Sequence, residues 1–173
     1  MPQQTPSKQL NRVARQFAKE LKDRKEVEGI FVFGSVAANV ATTESDIDLL
    51  VSVPKLIGND LRDVAAEFNQ RTGAHIKIHT THSESIRRIM GGHSTASGTR
   101  RILSEGSLPL YLDKKAFPEN KYPKSAFIKR FAPRRRTIMQ KYGEWGKGNR
   151  EMSLEFRMTE NAKRTKSRFR PPR

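Results

Sequence analysis

The sequence has no cysteine and few aromatic residues, and it has no long apolar run. The absence of cysteine excludes a disulfide scaffold, a thiolate zinc site, an iron–sulfur cluster and a cysteine nucleophile. No stretch approaches the roughly 18 consecutive apolar residues that a membrane-spanning helix needs, and residues 1–12 contain no apolar signal-peptide core. We therefore expect a cytoplasmic protein that does not bind a membrane.

Acidic residues are scarce relative to basic ones. The 173 residues include 34 Lys+Arg and 18 Asp+Glu, which gives a formal net charge of +16. Residues 1–112 have 15 basic and 12 acidic side chains, whereas residues 113–173 have 19 and 6, so the two parts carry +3 and +13. This length is close to that of one domain. The asymmetry predicts a folded domain over 1–112 and a basic extension over 113–173.

Residues 1–112 alternate between helical and strand-like apolar patterns. An apolar stripe predicts a helix over about 8–24 that Ser7 caps, and two β-branched runs predict interior strands over 29–35 and 46–53. The other predicted elements are a helix from Asn59 or Asp60 to Gly73, a half-buried strand over 74–80, a helix from Ser83 or Ser85 through Met90, a helical turn over 99–106 and a strand over 107–112. Pro109 confines this last strand to a sheet edge or interrupts it. This order is typical of an α/β or α+β fold.

The basic extension lacks a long apolar run and is predicted to be helical or partly disordered. Its charge indicates an acidic partner, and nucleic acids are the abundant candidates. The alternative is a solvated tail whose charge aids solubility.

Candidate nucleic-acid-binding residues are Arg134, Arg135, Arg136, Lys163 and Arg164. Aromatic side chains that could stack on unpaired bases are Phe127, Phe131, Tyr142, Trp145, Phe156 and Phe169, although Tyr142 and Trp145 equally fit one face of a helix with Ile138 and Met139. Residues 152–158 alternate as a strand does, and the last ten or so residues are expected to be disordered.

One arrangement of residues indicates chemistry. Gly34-Ser35 ends one predicted strand, and Asp46-Ile47-Asp48 begins the next after ten intervening residues. Because side chains alternate along a strand, the two aspartates share one side while Ile47 points into the packing. Two adjacent carboxylates repel each other unless a cation lies between them, and Mg²⁺ accepts one or two carboxylates together with phosphate oxygens. Gly34 permits close approach of a ligand, and Ser35 with the following backbone N–H groups suits an anion.

These residues resemble the nucleotidyltransferases of the DNA polymerase β superfamily, most closely the minimal nucleotidyltransferases. The hallmark is Gly-Ser, about ten residues and Asp-x-Asp, here FGSVAANVATTESDIDLLVSV, and the resemblance extends to about Leu112. It implies a small mixed sheet flanked by helices, Mg²⁺ or Mn²⁺ on Asp46 and Asp48, and a nucleoside triphosphate against Gly34 and Ser35. It also implies transfer of a nucleoside monophosphate to an acceptor, for which positioned charges suffice.

The sequence departs from this family on the next strand. Active members usually carry a third carboxylate there, whereas residues 74–80 offer His75, Lys77 and His79 on one face and no acid. Lys77 could replace part of a metal's charge and contact the nucleotide, and His79 could act as general base because imidazoles titrate near neutrality. Glu84 could bend back as a substitute ligand. The alternative is a domain whose strand residues merely face solvent and which has lost catalysis.

The remaining polar candidates lie after this strand. Arg87 is a candidate nucleotide-binding residue, with Arg88, Arg100 and Arg101 as further phosphate contacts or as solvated helix faces. Residues 91–98 could be a loop over the nucleotide. The histidines raise the hypothesis of a zinc site, which their spacing disfavours.

Three functions fit these features. The first is a metal-dependent nucleotidyltransferase whose basic extension holds a nucleic-acid or other acceptor. The second is a catalytically reduced domain of this type that binds nucleic acid. The third is an antitoxin-type regulator with a protein partner, which the resemblance suggests and the long basic extension disfavours.

Overall fold

The computed structural model describes residues 5–55, 60–93 and 97–133. The helix predicted around 138–145, the strand predicted over 152–158 and the basic candidates at 134–136, 163 and 164 lie outside these residues. No helix within the described ranges is long and apolar enough to cross a membrane.

Ten elements follow one another along the described chain. They are α1 (Pro6–Leu21), β1 (Gly29–Phe33), α2 (Gly34–Ala37), β2 (Ile47–Val53), α3 (Asp60–Thr72), β3 (Ile76–His82), α4 (Ser83–Met90), α5 (Ser97–Ser104), β4 (Ser107–Leu112) and α6 (Lys124–Phe131). Each element predicted within 1–112 is present, with its ends shifted by a few residues.

The four strands form one mixed sheet in the order β3-β2-β1-β4. β1 pairs antiparallel with β2 and β4, and β2 pairs parallel with β3. The small mixed sheet, the interior positions of β1 and β2 and the edge position of β4 are confirmed. Pro109 lies opposite Phe31, next to an irregularity in the β1–β4 register, as expected for a residue without a backbone donor.

Helix α1 packs its apolar stripe against the sheet. Ala14, Phe17 and Leu21 are fully buried at three- and four-residue spacing. The helix begins two residues earlier than predicted, because Pro6 stands at its start, where a proline needs no backbone donor. The predicted cap at Ser7 is wrong: its hydroxyl donates to the Ala41 carbonyl oxygen at 3.3 Å and accepts from the Ala41 N–H at 2.8 Å. Ser7 thereby ties α1 to the loop before β2.

Each face of the sheet is covered by its own apolar cluster. The first cluster joins α1 and α3 to one face and includes Ile30, Val32, Leu49 and Val51 of the central strands. The second cluster joins α4, α5 and α6 to the other face and includes Phe31, Phe33 and Leu50 together with Phe117, Phe127 and Phe131. The alternation along β1 and β2 assigns successive residues to the two clusters.

Packed residues continue after Leu112. Phe117 and Phe127 are 2% and 0% exposed, and Phe131 is 6% exposed. The prediction that Phe127 and Phe131 could stack on unpaired bases is therefore wrong, because their rings are enclosed by the second cluster. The domain boundary at Leu112 stays a prediction, and these buried rings show that residues after it contribute to the same core. Tyr142, Trp145, Phe156 and Phe169 lie outside the described residues.

Strand β3 forms the edge of the sheet beside β2. It spans Ile76–His82 instead of 74–80, and Asn69 of α3 borders its first residue. The Asn69 side-chain amide accepts from the Ile76 N–H at 2.8 Å and donates to the Ile76 carbonyl oxygen at 3.1 Å. Because β3 has a strand on one side only, most of its residues are exposed and its burial does not alternate strictly.

Candidate functional site

The two aspartates lie at the start of β2, where a short turn fixes the chain. The Thr42 N–H donates to the Ser45 hydroxyl at 2.9 Å. The Ile47 N–H donates to the His75 carbonyl oxygen at 2.8 Å, which joins the start of β2 to β3. Ile47 is fully buried in the first cluster. Asp46 and Asp48, one residue to either side, are half-buried and lie on the opposite face from Ile47.

Gly34 lies directly against the Asp48 carboxylate. Its φ angle is +72°, which side chains other than glycine rarely adopt, and a Cβ built on it would lie 3.0 Å from Asp48 Oδ2. Gly34 thus brings the backbone between β1 and α2 close to this carboxylate. Ser35 follows it in the first turn of α2 and is half-buried. Gly34, Ser35 and Asp48 belong to one end of the sheet, as the spacing predicted.

Lys77 lies beside both aspartates. It is the register partner of Asp48 on the parallel strand β3, so that their side chains leave the same face. Its Nζ lies 2.5 Å from Asp46 Oδ2. The side chains of Lys77 and Asp46 are 61% and 37% exposed. The position on β3 next to the aspartates therefore holds an ammonium group paired with a carboxylate.

His79 lies two residues further along β3, on the same face as Lys77. Its ring packs edge-on against Phe33 with 5.4 Å between the ring centroids. Phe33 is the register partner of Asp48 on β1, so this contact holds the imidazole on the face that carries the carboxylates. Sequence reasoning missed the role of Phe33, because a phenylalanine in a strand predicts core and gives no signal of contact with a histidine on another strand. His75 precedes β3 and is exposed.

Two further candidates interact away from the aspartates. The Arg87 guanidinium donates to Glu84 Oε2 at 3.0 Å and to the Ala116 carbonyl oxygen at 3.1 Å. The same group lies over the Phe117 ring, 6.0 Å from its centroid. These contacts join α4 to the segment before α6. The structure does not bring Arg87 and Glu84 into the cluster of Asp46, Asp48 and Lys77, and a nucleotide contact of Arg87 stays a prediction.

The aspartate pair fits a divalent cation that has further ligands of its own. Asp46 and Asp48 offer hard carboxylate oxygens, and Gly34 leaves the space beside Asp48 Oδ2 that a Cβ would fill. The ammonium of Lys77 pairs with Asp46, so one of the two carboxylates already has a positively charged neighbour. Within the described ranges, no group of three or more His, Cys, Asp or Glu side chains could hold a metal ion. The pair fits Mg²⁺ or Mn²⁺ when water or phosphate oxygens complete the coordination.

An open groove of about 760 Å³ runs along the outer edge of β3. Lys77, which pairs with Asp46, and His79 both line it. Its walls are formed by α3 and α5, and its lining includes Arg62, Ala66, Asn69, Ile78, Thr99 and Ile102. The groove could not be predicted from the sequence, because it depends on the spacing of two helices around a sheet edge.

Residues 14–98 match the family model of the nucleotidyltransferase domain. This stretch contains Gly34, Ser35, Asp46, Asp48 and Lys77. No curated protein sequence matches the chain.

Several chains of solved toxin–antitoxin complexes align with this chain. A chain of the tri-AMPylated Shewanella oneidensis HEPN toxin in complex with MNT antitoxin aligns with a TM-score of 0.42 and 14% identity, covering 86% of this chain and 98% of that chain. A chain of a toxin–antitoxin complex with AMP-PNP gives a TM-score of 0.44 and 14% identity, with coverages of 83% and 98%. A chain of the MntA–HepT toxin–antitoxin gives a TM-score of 0.41 and 15% identity, covering 86% of this chain and 98% of that chain.

Proposed function

Since residues 14–98 are a nucleotidyltransferase domain, we propose that the chain transfers a nucleoside monophosphate from a nucleoside triphosphate to an acceptor, with a divalent cation on Asp46 and Asp48. The observation that carries this proposal is the Asp48 carboxylate lying against Gly34 at the end of β1, with Asp46 beside it. The Gly34-Ser35 turn, which suits phosphates, therefore lies next to two carboxylates that can serve as hard oxygen ligands.

The transfer is a displacement at the α-phosphorus of the triphosphate. An acceptor oxygen forms a bond to this phosphorus, the bond to the bridging oxygen of the β-phosphate breaks, and diphosphate leaves. Mg²⁺ or Mn²⁺, when bound, supplies positive charge to the phosphate oxygens. Gly34 and Ser35 position the phosphates through close backbone approach. The groove along β3 gives the acceptor access to the same end of the sheet.

His79 is the proposed acceptor of the proton that the attacking oxygen loses. It lines the groove, lies on the face that carries Asp48 and is held by the Phe33 ring. A neutral imidazole can take a proton at physiological pH. In this proposal His79 serves in place of a carboxylate, since β3 carries no acidic residue. His79→Gln should retain nucleotide binding and lose most of the transfer.

The thermal midpoint tests the site. Millimolar Mg²⁺ with a nucleoside triphosphate should raise the midpoint of the full chain, because a ligand that binds only the folded state stabilises it by mass action. The Asp46→Asn/Asp48→Asn double variant should lose this rise. A midpoint that nucleotide and metal leave unchanged contradicts the site. A rise without transfer of label from nucleotides labelled at the α-phosphate supports the catalytically reduced domain.

The charge distribution favours a second candidate function, binding of nucleic acid through residues 113–173. These residues carry +13 against +3 for residues 1–112. Single-stranded RNA binding by the full chain should weaken steeply with salt, because the slope counts neutralised phosphates. Replacing Arg134, Arg135 and Arg136 with glutamine should reduce affinity and slope. Replacing Arg12, Arg15 and Lys19 of α1 with glutamine is the matched control, and equal losses in both variants would contradict a role specific to the extension.

A further inference from the structure

We infer that Lys77 is a built-in counter-ion of the aspartate pair that competes with the divalent cation for Asp46 and thereby weakens metal binding in the absence of nucleotide. This inference rests on the proposed function, because it concerns the cation that Asp46 and Asp48 would hold. It assigns a regulatory effect to the ammonium group that stands on β3 beside the pair.

The position of Lys77 follows from the strand register. Because β2 and β3 run parallel with Asp48 opposite Lys77, the lysine stem starts next to the Asp48 carboxylate. Its Nζ reaches back to Asp46 Oδ2 at 2.5 Å. The ammonium thus lies among the oxygens that a metal ion would use. A lysine elsewhere on β3 would leave the opposite face or start further from Asp46.

The charges of the three side chains set the direction of the effect. Two carboxylates carry −2, and the ammonium of Lys77 reduces the local charge to −1. A divalent cation bound to Asp46 must displace this ammonium or remain a few ångströms from it, and like charges at that distance repel appreciably even in water. We expect Lys77 to weaken the affinity of the pair for a divalent cation about tenfold.

Lys77 can also move away from Asp46. Its side chain is 61% exposed, and a lysine ammonium is a point charge on a flexible four-carbon stem. Exposed ion pairs of this kind contribute little to folding, so removing the ammonium should leave the fold intact. The pairing therefore affects the cation site far more than it affects stability.

Binding of Mn²⁺ alone, measured by the relaxation of water protons, tests the inference on the full chain. Lys77→Met removes the charge and keeps an apolar stem, whereas Lys77→Arg keeps the charge. Lys19→Met is the matched control, since Lys19 is an exposed residue of α1 and its loss changes the net charge equally. Thermal melts of each variant verify that it is folded.

We expect Lys77→Met to bind Mn²⁺ about tenfold more tightly than the unaltered chain, while Lys77→Arg and Lys19→Met bind as the unaltered chain does. Adding Asp48→Asn to Lys77→Met should abolish the gain. Equal affinity in Lys77→Met and the unaltered chain would overturn the role of Lys77 and leave the metal site standing. If neither binds Mn²⁺ at millimolar concentration, the metal site itself is overturned, and the inference with it.

Discussion

The two faces of the sheet differ in how completely helices cover them. On the face toward α1 and α3, Ile30, Val32, Leu49 and Val51 are all fully buried. On the face toward α4, α5 and α6, Phe31 and Leu50 are buried, but Asp48, Lys77 and His79 remain accessible near the edge. One face is used for packing alone, whereas the other combines packing with the polar residues of the candidate site. A partly covered face leaves room for chemistry on a rigid strand.

The largest loss of stability is expected from a substitution on the fully covered face. Phe17 of α1 is fully buried, and its ring packs edge-on against Phe68 with 4.8 Å between centroids. Phe17→Ala should lower the free energy of unfolding by about 4 kcal/mol, because it removes apolar contacts and leaves a cavity. Chemical denaturation followed by circular dichroism measures this change. A loss below about 1 kcal/mol would contradict tight packing of this face.

A slightly smaller effect is expected on the partly covered face. Phe127 of α6 is fully buried and lies 5.5 Å from the Phe31 ring and 6.0 Å from the Phe117 ring, between centroids. Phe127→Ala should lower the free energy of unfolding by about 3 kcal/mol in a single cooperative transition. Unchanged stability, or a separate early transition, would show that α6 is not part of the same cooperative unit as the sheet.

An intermediate loss of stability is expected when alanine replaces a glycine with a positive φ angle, whether that glycine lies in the candidate site or outside it. Gly34 and Gly73 have φ angles of +72° and +70°, but a Cβ on Gly73 would meet nothing within 4 Å. Gly34→Ala and Gly73→Ala should each cost about 1–2 kcal/mol, since both place a side chain in the left-handed region.

The two variants should differ in ligand binding. Gly34→Ala also brings a Cβ to 3.0 Å from Asp48 Oδ2, so it should lose the nucleotide-dependent rise in thermal midpoint that Gly73→Ala keeps. Loss of this rise in both variants would indicate a general effect of backbone strain instead of a contact at Asp48.

The smallest change in the free energy of unfolding is expected from a substitution in the loop before β1, which belongs to neither face of the sheet. The hydrogen bond from Arg24 Nε holds the pKa of Glu26 below its ordinary value. The stabilisation is therefore present above the ordinary glutamate pKa and is lost as the pH falls through the lower pKa of the folded state. Glu26→Gln should cost a few tenths of a kcal/mol at pH 7, as is typical of a partly exposed surface pair. Urea denaturation at a series of pH values between 7 and 3 tests this, and a difference between the variant and the unaltered chain that does not shrink as the pH falls would contradict it.

The contrast between the faces also explains what the sequence could predict. The first cluster is made of helical stripes and strand runs whose spacing is local, so the helix over 8–24 and the strands over 29–35 and 46–53 can be predicted as packing elements from neighbouring residues in the sequence. The second cluster needs Phe31 to meet Phe127 across the chain. No local pattern indicates such a contact, and the sequence alone therefore leaves Phe127 as a candidate for stacking on unpaired bases.

The candidate site was predictable to a similar extent. The spacing between Gly34 and Asp48 suffices to place them together, because a strand, a turn and an antiparallel strand return the chain to the same end of the sheet. The ion pair of Lys77 with Asp46 required the register of β2 and β3, and the contact of His79 with Phe33 required the order of three strands. Side-chain alternation gives the face of a residue but not its neighbour on another strand.

Asn69 has a consequence for how this protein behaves in concentrated solution. An edge strand with unpaired N–H and C=O groups is a template for association with another chain. By bonding both backbone groups of Ile76, the Asn69 amide occupies the place that the first residue of an intruding strand would take. The side chain of one asparagine thereby opposes growth of the sheet from the end of β3 next to the aspartates, and it helps to keep copies of the chain from aggregating through this edge.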